Sequence, residues 1–183
     1  VLVDVGGGQA LAVGGEDRLV GVTTFCDFPP AARQKPKVGG IVNPSLEVIV
    51  GLRPDLVLAT TEGNRESTVE QLTALGIPTY VVTPKTFSGV LDSILRIGSL
   101  SARDEAAQRL VDDLRRRAAR VVEATGRRPR PRVLYVVWAD PLVVPGRATL
   151  INDLIGMAGG ASISGDQPVE WPRLSLEQVV ASA

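Results

Sequence analysis

Arg53-Pro54-Asp55-Leu56-Val57-Leu58-Ala59 closes a stretch that opens with Cys26-Asp27-Phe28-Pro29-Pro30 and passes through Lys37-Val38-Gly39-Gly40 and Asn43-Pro44-Ser45-Leu46-Glu47. Within about the length of one βαβ unit it holds a stiff turn, a glycine loop, a helix start and a buried strand. Pro29 and Pro30 fix two φ angles and remove two N–H donors, so Phe28 is carried on a rigid, extended loop. Asn43-Pro44-Ser45 reads as a helix entry, with Ser45 or Asn43 as the cap and Glu47 in the first turn, where a carboxylate suits the helix dipole. Pro54-Asp55 ends that helix. The unbroken apolar run Leu56–Ala59 is the pattern of a strand covered on both faces.

The same alternation extends in both directions. Upstream, Val1–Val5 reads as a strand, Gln9–Val13 as a short helix stopped by Gly14-Gly15, and Leu19–Thr23 as a second strand. Downstream comes a polar loop, Thr60–Asn64, then a helix over Arg65–Leu75 closed by Gly76, and a strand over Ile77–Val82. Strand and helix in alternation predict an α/β fold with a parallel sheet. From Phe87 the pattern turns helical: one helix over Ser88–Leu100 and a longer one over Ala102–Thr125, with Gly126 as its stop. Ala107, Leu110, Val111, Leu114, Ala118, Val121 and Val122 form the apolar face of the longer helix. At 1.5 Å per residue it is a rod of roughly 35 Å. Pro129-Arg130-Pro131 reads as a linker, Arg132–Trp138 as the strand opening a second α/β unit, and Thr149–Ala158 as a helix ended by Gly159-Gly160. Ser175 and Gln178 have capping-box spacing. The expected organisation is an N-terminal lobe over residues 1–86, a helical segment over 87–128 and a C-terminal lobe over 129–183.

Composition narrows the function. The 183 residues carry 20 basic and 20 acidic side chains, a balance that leaves no electrostatic footprint for nucleic acid. Arg115-Arg116-Arg117 and Arg120 accordingly read as a solvated helix face. Histidine is absent, which removes the commonest general base and the commonest metal ligand together. One cysteine, Cys26, closes no intrachain disulfide and builds no Cys-rich zinc site. Gly6-Gly7-Gly8 and Pro145-Gly146-Arg147 match no phosphate-binding loop. The expectation is a chain with neither catalytic residues nor a resident metal or covalent cofactor. No secretory leader or transmembrane run is visible.

The Cys26–Ala59 block resembles the N-terminal lobe of the cobalamin-type periplasmic binding proteins, the substrate-binding components of vitamin B12 ABC importers. That family also contains siderophore and haem binders. The Cys-Asp-aromatic-Pro-Pro element resembles the cobalamin branch, and Pro54–Ala59 resembles the family at large. The likeness runs from about Leu11 to Ala183, with Glu170-Trp171-Pro172-Arg173-Leu174-Ser175 similar to a second-lobe element. The resemblance implies two Rossmann-like lobes joined by a long rigid helix, with the ligand in the cleft between them. It departs at Gly6-Gly7-Gly8-Gln9, where the family has a polar loop and a "TEI" helix entry. It also stops before the family's next "PDVI"-type strand, so the second lobe is expected to be incomplete, through truncation or residues lying further on.

The resemblance implies that Phe28 and Trp171 line the ligand from opposite lobes. Trp138, at the end of its predicted strand, joins them, since open α/β sheets bind ligands at strand C-termini. Gly40, Ile41 and Val42 are expected to close over the ligand, and Glu62, Gly63 and Asn64, after the Leu56–Ala59 strand, to supply polar contacts. Glu47 and Glu177 occupy matching Ser-Leu-Glu steps, Ser45-Leu46-Glu47 and Ser175-Leu176-Glu177, one per lobe. In the family, glutamates at such positions dock on arginines of the membrane permease. The implied ligand is a cobalamin-like corrinoid, the implied partner an ABC permease, and the implied state a monomer in the periplasm or a cell-surface lipoprotein. A haem or siderophore binder and a sensor domain of the same fold are the alternatives. Lack of histidine counts against haem, and an anionic siderophore would draw on Arg65, Arg147 and Arg173.

Overall fold

The computed structural model describes residues 2–4 and 9–181. The expectations for Val1, Val5 and Gly6–Gly8 lie outside those residues. The chain divides into two compact units, one of Val1–Thr83 and Asp92–Val111, the other of Pro84–Leu91 and Asp112–Ala183. Helices α4 (Phe87–Leu100) and α5 (Asp104–Thr125) each contribute residues to both units.

The first unit is built on four parallel strands, β1 (Leu2–Asp4), β2 (Leu19–Val22), β3 (Leu56–Thr60) and β4 (Thr79–Val82), in the order β2-β1-β3-β4. Alternate side chains leave the sheet on opposite faces, and each face has its own core. Leu2, Leu19, Leu58 and Val82 pack with Ala10 and Leu11 around α1 (Gln9–Ala12) and with Ile97 and Ala107 of α4 and α5. Val3, Val57 and Ala59 pack on the other face with Ile49 of α2 (Leu46–Gly51) and Leu72 of α3 (Glu66–Ala74). This two-sided cover is why Leu56–Ala59 carries no polar alternation. Gly98 lets α4 and α5 approach closely, because a Cβ there would come within 2.3 Å of the Ala107 Cβ.

The helix signals resolve locally. Ser45, not Asn43, caps α2: its hydroxyl accepts from the Val48 N–H at 3.3 Å. Gly76 follows α3 with φ +72°, the left-handed stop that its position predicted. Three details go beyond or adjust the expectations. Helix α5 starts at Asp104 rather than Ala102, which sits at φ +53° in the turn after α4. Gly126 adopts no positive φ; its N–H still bonds the Val122 carbonyl at 2.8 Å. The Cys26–Pro30 loop runs directly into a 3-10 helix, Pro30–Gln34.

In the second unit the predicted strand Arg132–Trp138 is broken. Arg132–Val133 forms β5, parallel to β8 (Ala161–Ser162), whereas Trp138–Ala139 forms β6 of an antiparallel pair with β7 (Leu142–Val143). Trp138 therefore begins a hairpin rather than ending a long parallel strand. A second partner is invisible in the local pattern: the 170–174 segment takes the other side of β7. The Val144 N–H donates to the Pro172 carbonyl, Leu174 to Leu142 and Gly146 to Glu170. Helix α6 (Leu150–Met157) is capped by Thr149, which the sequence placed inside the helix, and Gly159 follows at φ +81°, in the stop position predicted for it. Helix α7 (Leu176–Ala181) completes the unit. No described helix is long and apolar enough to cross a membrane.

Candidate functional site

In the first unit the candidate residues gather beyond the C-terminal ends of β2 and β3. The strand order reverses beside β1, and the space outside the strand ends at such a reversal is where open α/β sheets take ligands. The loop after β2 is pulled back along the sheet: Val38 donates to the Val22 carbonyl and Thr24 to that of Gly39. Gly39, at φ +98°, then turns the chain into an antiparallel bridge with Pro44. Lys37 ties down the preceding segment by donating its ammonium to the carbonyls of Cys26, at 2.8 Å, and Ala32, at 3.2 Å. The Cys26 thiol points inward, and burial, with Asp4 close by, pushes its pKa up. Phe28 is left 81% exposed on this pinned loop.

Ile41, Gly63 and Asn64 meet, and their meeting is a latch. The Asn64 amide donates to the Ile41 carbonyl at 2.6 Å, while its side-chain oxygen accepts from the Thr60 N–H at 2.7 Å. The Asn64 N–H in turn bonds the Thr60 carbonyl at 3.0 Å. Gly63 gives Ile41 its seat, since a Cβ there would lie 2.9 Å from the Ile41 side chain. Glu62 is exposed, its N–H bonded to the Thr60 hydroxyl at 3.2 Å. Gly40 is half-buried and Val42 exposed on the loop thus held. Thr60, Thr61, Asn64, Glu66, Val69 and Val81 line an open cavity of about 520 Å³ at the ends of β3 and β4.

In the second unit Trp138 and Trp171 are 65% and 37% exposed. The Trp138 indole N–H donates to the Asp140 carbonyl at 2.8 Å, which fixes the ring while leaving its faces open. Glu170 is engaged by Lys85 in an ion pair.

Glu47 and Glu177 are both exposed in the first turn of their helices, as their shared tripeptide predicts. Their surroundings differ. Ser45 of α2 makes one capping bond, whereas Ser175 accepts from the Gln178 N–H at 3.2 Å and donates its own N–H to the Gln178 side chain at 2.8 Å. The Ser175 hydroxyl also holds the Glu177 carboxyl below the usual glutamate range.

The sequence reading passed over two exposed groups. Phe25, 80% exposed, stands three residues before Phe28; the available signal was an aromatic on each side of an inward-pointing cysteine. Arg173, considered only as a loose siderophore contact, lies on the segment that pairs with β7. Among the described residues no cluster of three or more acidic, cysteine or histidine side chains could hold a metal ion.

A vitamin B12-binding protein of Salmonella typhi is 35% identical over 172 residues, covering 93% of this chain and 64% of its own length. That of Pectobacterium carotovorum is 32% identical over 175 residues, covering 94% and 63%. The chain thus spans somewhat under two thirds of these relatives. Among solved structures, the periplasmic vitamin B12 binding protein of Vibrio cholerae superposes with a TM-score of 0.88 at 27% identity, over 99% of this chain and 72% of that one. A periplasmic haem-binding protein of Pseudomonas aeruginosa gives 0.84 at 27%, over 99% and 68%. These relatives are binding proteins, not enzymes. The parallel sheet, the two α/β units and a family match over residues 8–183 agree: the chain belongs to the periplasmic binding protein family.

Proposed function

We propose that this chain is the ligand-holding part of a solute-binding protein that captures a cobalamin-like corrinoid and delivers it to an ABC permease. The observation that carries the reading is a set of exposed aromatic rings held on braced backbone: Phe28 in the first unit, Trp138 and Trp171 in the second. A flat, largely apolar macrocycle buries its faces against such rings, and a ring already fixed loses little entropy on binding. Gly40, Ile41 and Val42 add the apolar loop that Asn64 holds in place, with Glu62 and Thr61 as polar groups for the ligand's amides. Kinship with vitamin B12-binding proteins supports the corrinoid as cargo. On this reading the protein works as a monomer in the periplasm or as a cell-surface lipoprotein.

Both tryptophans of the chain belong to the proposed site, so fluorescence reports on that site alone. Titration with cyanocobalamin is expected to give saturable quenching at micromolar ligand or below; a flat titration sinks the proposal. Glu47 and Glu177 are proposed to meet the permease. Reversing both to lysine is expected to leave ligand affinity unchanged and to lower binding to permease vesicles; a fall in ligand affinity would instead place them at the ligand.

A haem binder is the second reading, favoured by the likeness to haem-binding proteins of known structure. With no histidine in the chain, an axial ligand to haem iron would have to come from another residue type, such as tyrosine, methionine or cysteine.

A further inference from the structure

We infer that Arg173 forms an anion-recognition subsite on the same face as the two tryptophans, selecting ligands that carry a phosphodiester on the rim of a flat ring. The inference rests on the ligand reading above and adds to it a specificity-determining residue. The argument comes from strand register. In β6 and β7, Trp138 pairs with Val143, and Val143 in turn bridges Arg173 in antiparallel fashion. The flanking bonds, Val144 N–H to Pro172 carbonyl at 3.1 Å and Leu174 N–H to Leu142 carbonyl at 3.0 Å, make Val143 and Arg173 a non-hydrogen-bonded pair. Side chains opposed in that way leave on one face and approach most closely.

Trp171 precedes Arg173 by two residues, and the Val144–Pro172 and Gly146–Glu170 bonds keep that stretch against β7, which sets the indole stem near the guanidinium stem. At about 4.8 Å between strands and 3.3 Å per residue, the guanidinium stem starts within roughly 10 Å of both indole stems. Trp138, 65% exposed, and Arg173, also exposed, show where this face turns outward, while Val144 on the opposite face is fully buried.

Charge on this face is uncompensated. Glu170 alternates to the other face and is taken by Lys85, and among the described residues Arg173 has no hydrogen-bond or ion-pair partner. Asp140, beside Trp138, is also exposed and is the remaining acidic side chain in the hairpin. A guanidinium matches a phosphodiester or a carboxylate with two parallel bonds, and apolar ring faces beside it lower the local dielectric that the pair experiences. Cobalamin carries one phosphodiester, in its nucleotide loop; haem offers two propionates.

Calorimetric titration of the chain and of Arg173→Ala and Arg173→Lys with cyanocobalamin, dicyanocobinamide (which lacks the nucleotide loop) and haem separates these sources. The parent chain is expected to prefer cobalamin over cobinamide by about tenfold or more. Arg173→Ala is expected to erase that ratio and Arg173→Lys to keep part of it, with the preference shrinking as salt rises. Equal affinity of the parent for cobalamin and cobinamide, or an equal loss for both in Arg173→Ala, overturns the inference while leaving the corrinoid reading intact. Binding of haem alone, weakened by Arg173→Ala, overturns both the phosphodiester selection and the corrinoid reading. Failure to bind any of the three overturns both.

Discussion

Leu56–Ala59 and Leu134–Val137 look alike as sequence, each an unbroken apolar run expected to be a buried strand. The first lies inside the sheet, flanked by β1 and β4, with Val57 and Leu58 fully inaccessible. The second belongs to no strand, and its four side chains remain between 38% and 47% exposed. Apolar character alone does not bury a segment; neighbours on both edges and both faces do. The first unit has them, and both of the core clusters found among the described residues lie in it. The second unit spends its pairing differently, on the hairpin and the 170–174 segment that array Trp138, Arg173 and Trp171.

The most forceful way to break this contrast is to truncate both runs. Leu58→Ala is expected to cost about 2–5 kcal/mol by denaturant unfolding, through lost transfer energy and the cavity left behind. Val136→Ala is expected to stay within about 0.5 kcal/mol. Equal costs would mean that the second run is as buried as the first.

A smaller effect is expected at the latch. Asn64→Ala leaves the Thr60 N–H and the Ile41 carbonyl without their partner, at about 1–3 kcal/mol. Amide exchange should quicken at Thr60 and through the Ile41–Asn43 loop while the helix amides of the second unit keep their protection. Uniform loss of protection would show Asn64 to be an ordinary stability residue and not a loop clamp.

The mildest test compares the two caps. Ser175→Ala breaks a reciprocal box and Ser45→Ala a single bond, so the former is expected to cost more within a range of about 0.5–2 kcal/mol. The Glu177 carboxyl should then rise toward the ordinary glutamate value in an NMR titration. Its lowered pKa means that the favourable contribution of the charged form is complete above the ordinary value and is lost as pH falls through the lowered one. An unmoved Glu177 in Ser175→Ala would show that the hydroxyl is not the cause.

Much of the first unit was legible because its signals are local. Apolar runs, Ser45 before a first turn and Gly76 after a last one each need only a few residues to be read. The Ser175–Gln178 box was legible for the same reason. What escaped depended on distance along the chain. The 3-10 turn at Pro30–Gln34 is held by Lys37 reaching back to Ala32, and Pro-Pro by itself announces only stiffness. The break at Leu134–Val137 shows only in the pairing: Val133 pairs with Ser162 and Trp138 with Val143, and the residues between belong to neither ladder. For the candidate site, the sequence singled out Ile41, Gly63 and Asn64 as ligand contacts, but not that 23 residues apart two of them would bond to each other. Arg173 was noticed as a charge, whereas its place beside the indoles comes from register, which composition does not encode.

The seat that Gly63 offers Ile41 ties change at one loop to change at the other. Any side chain at 63 strikes the residue at 41, so a glycine there is a precondition for size at its neighbour. A methyl group at 63 makes the Ile41 side chain shift, and a larger residue at 41 has further to move, so the two substitutions made together will not sum. A short-range contact between two loops thereby couples the substitutions that each can accept.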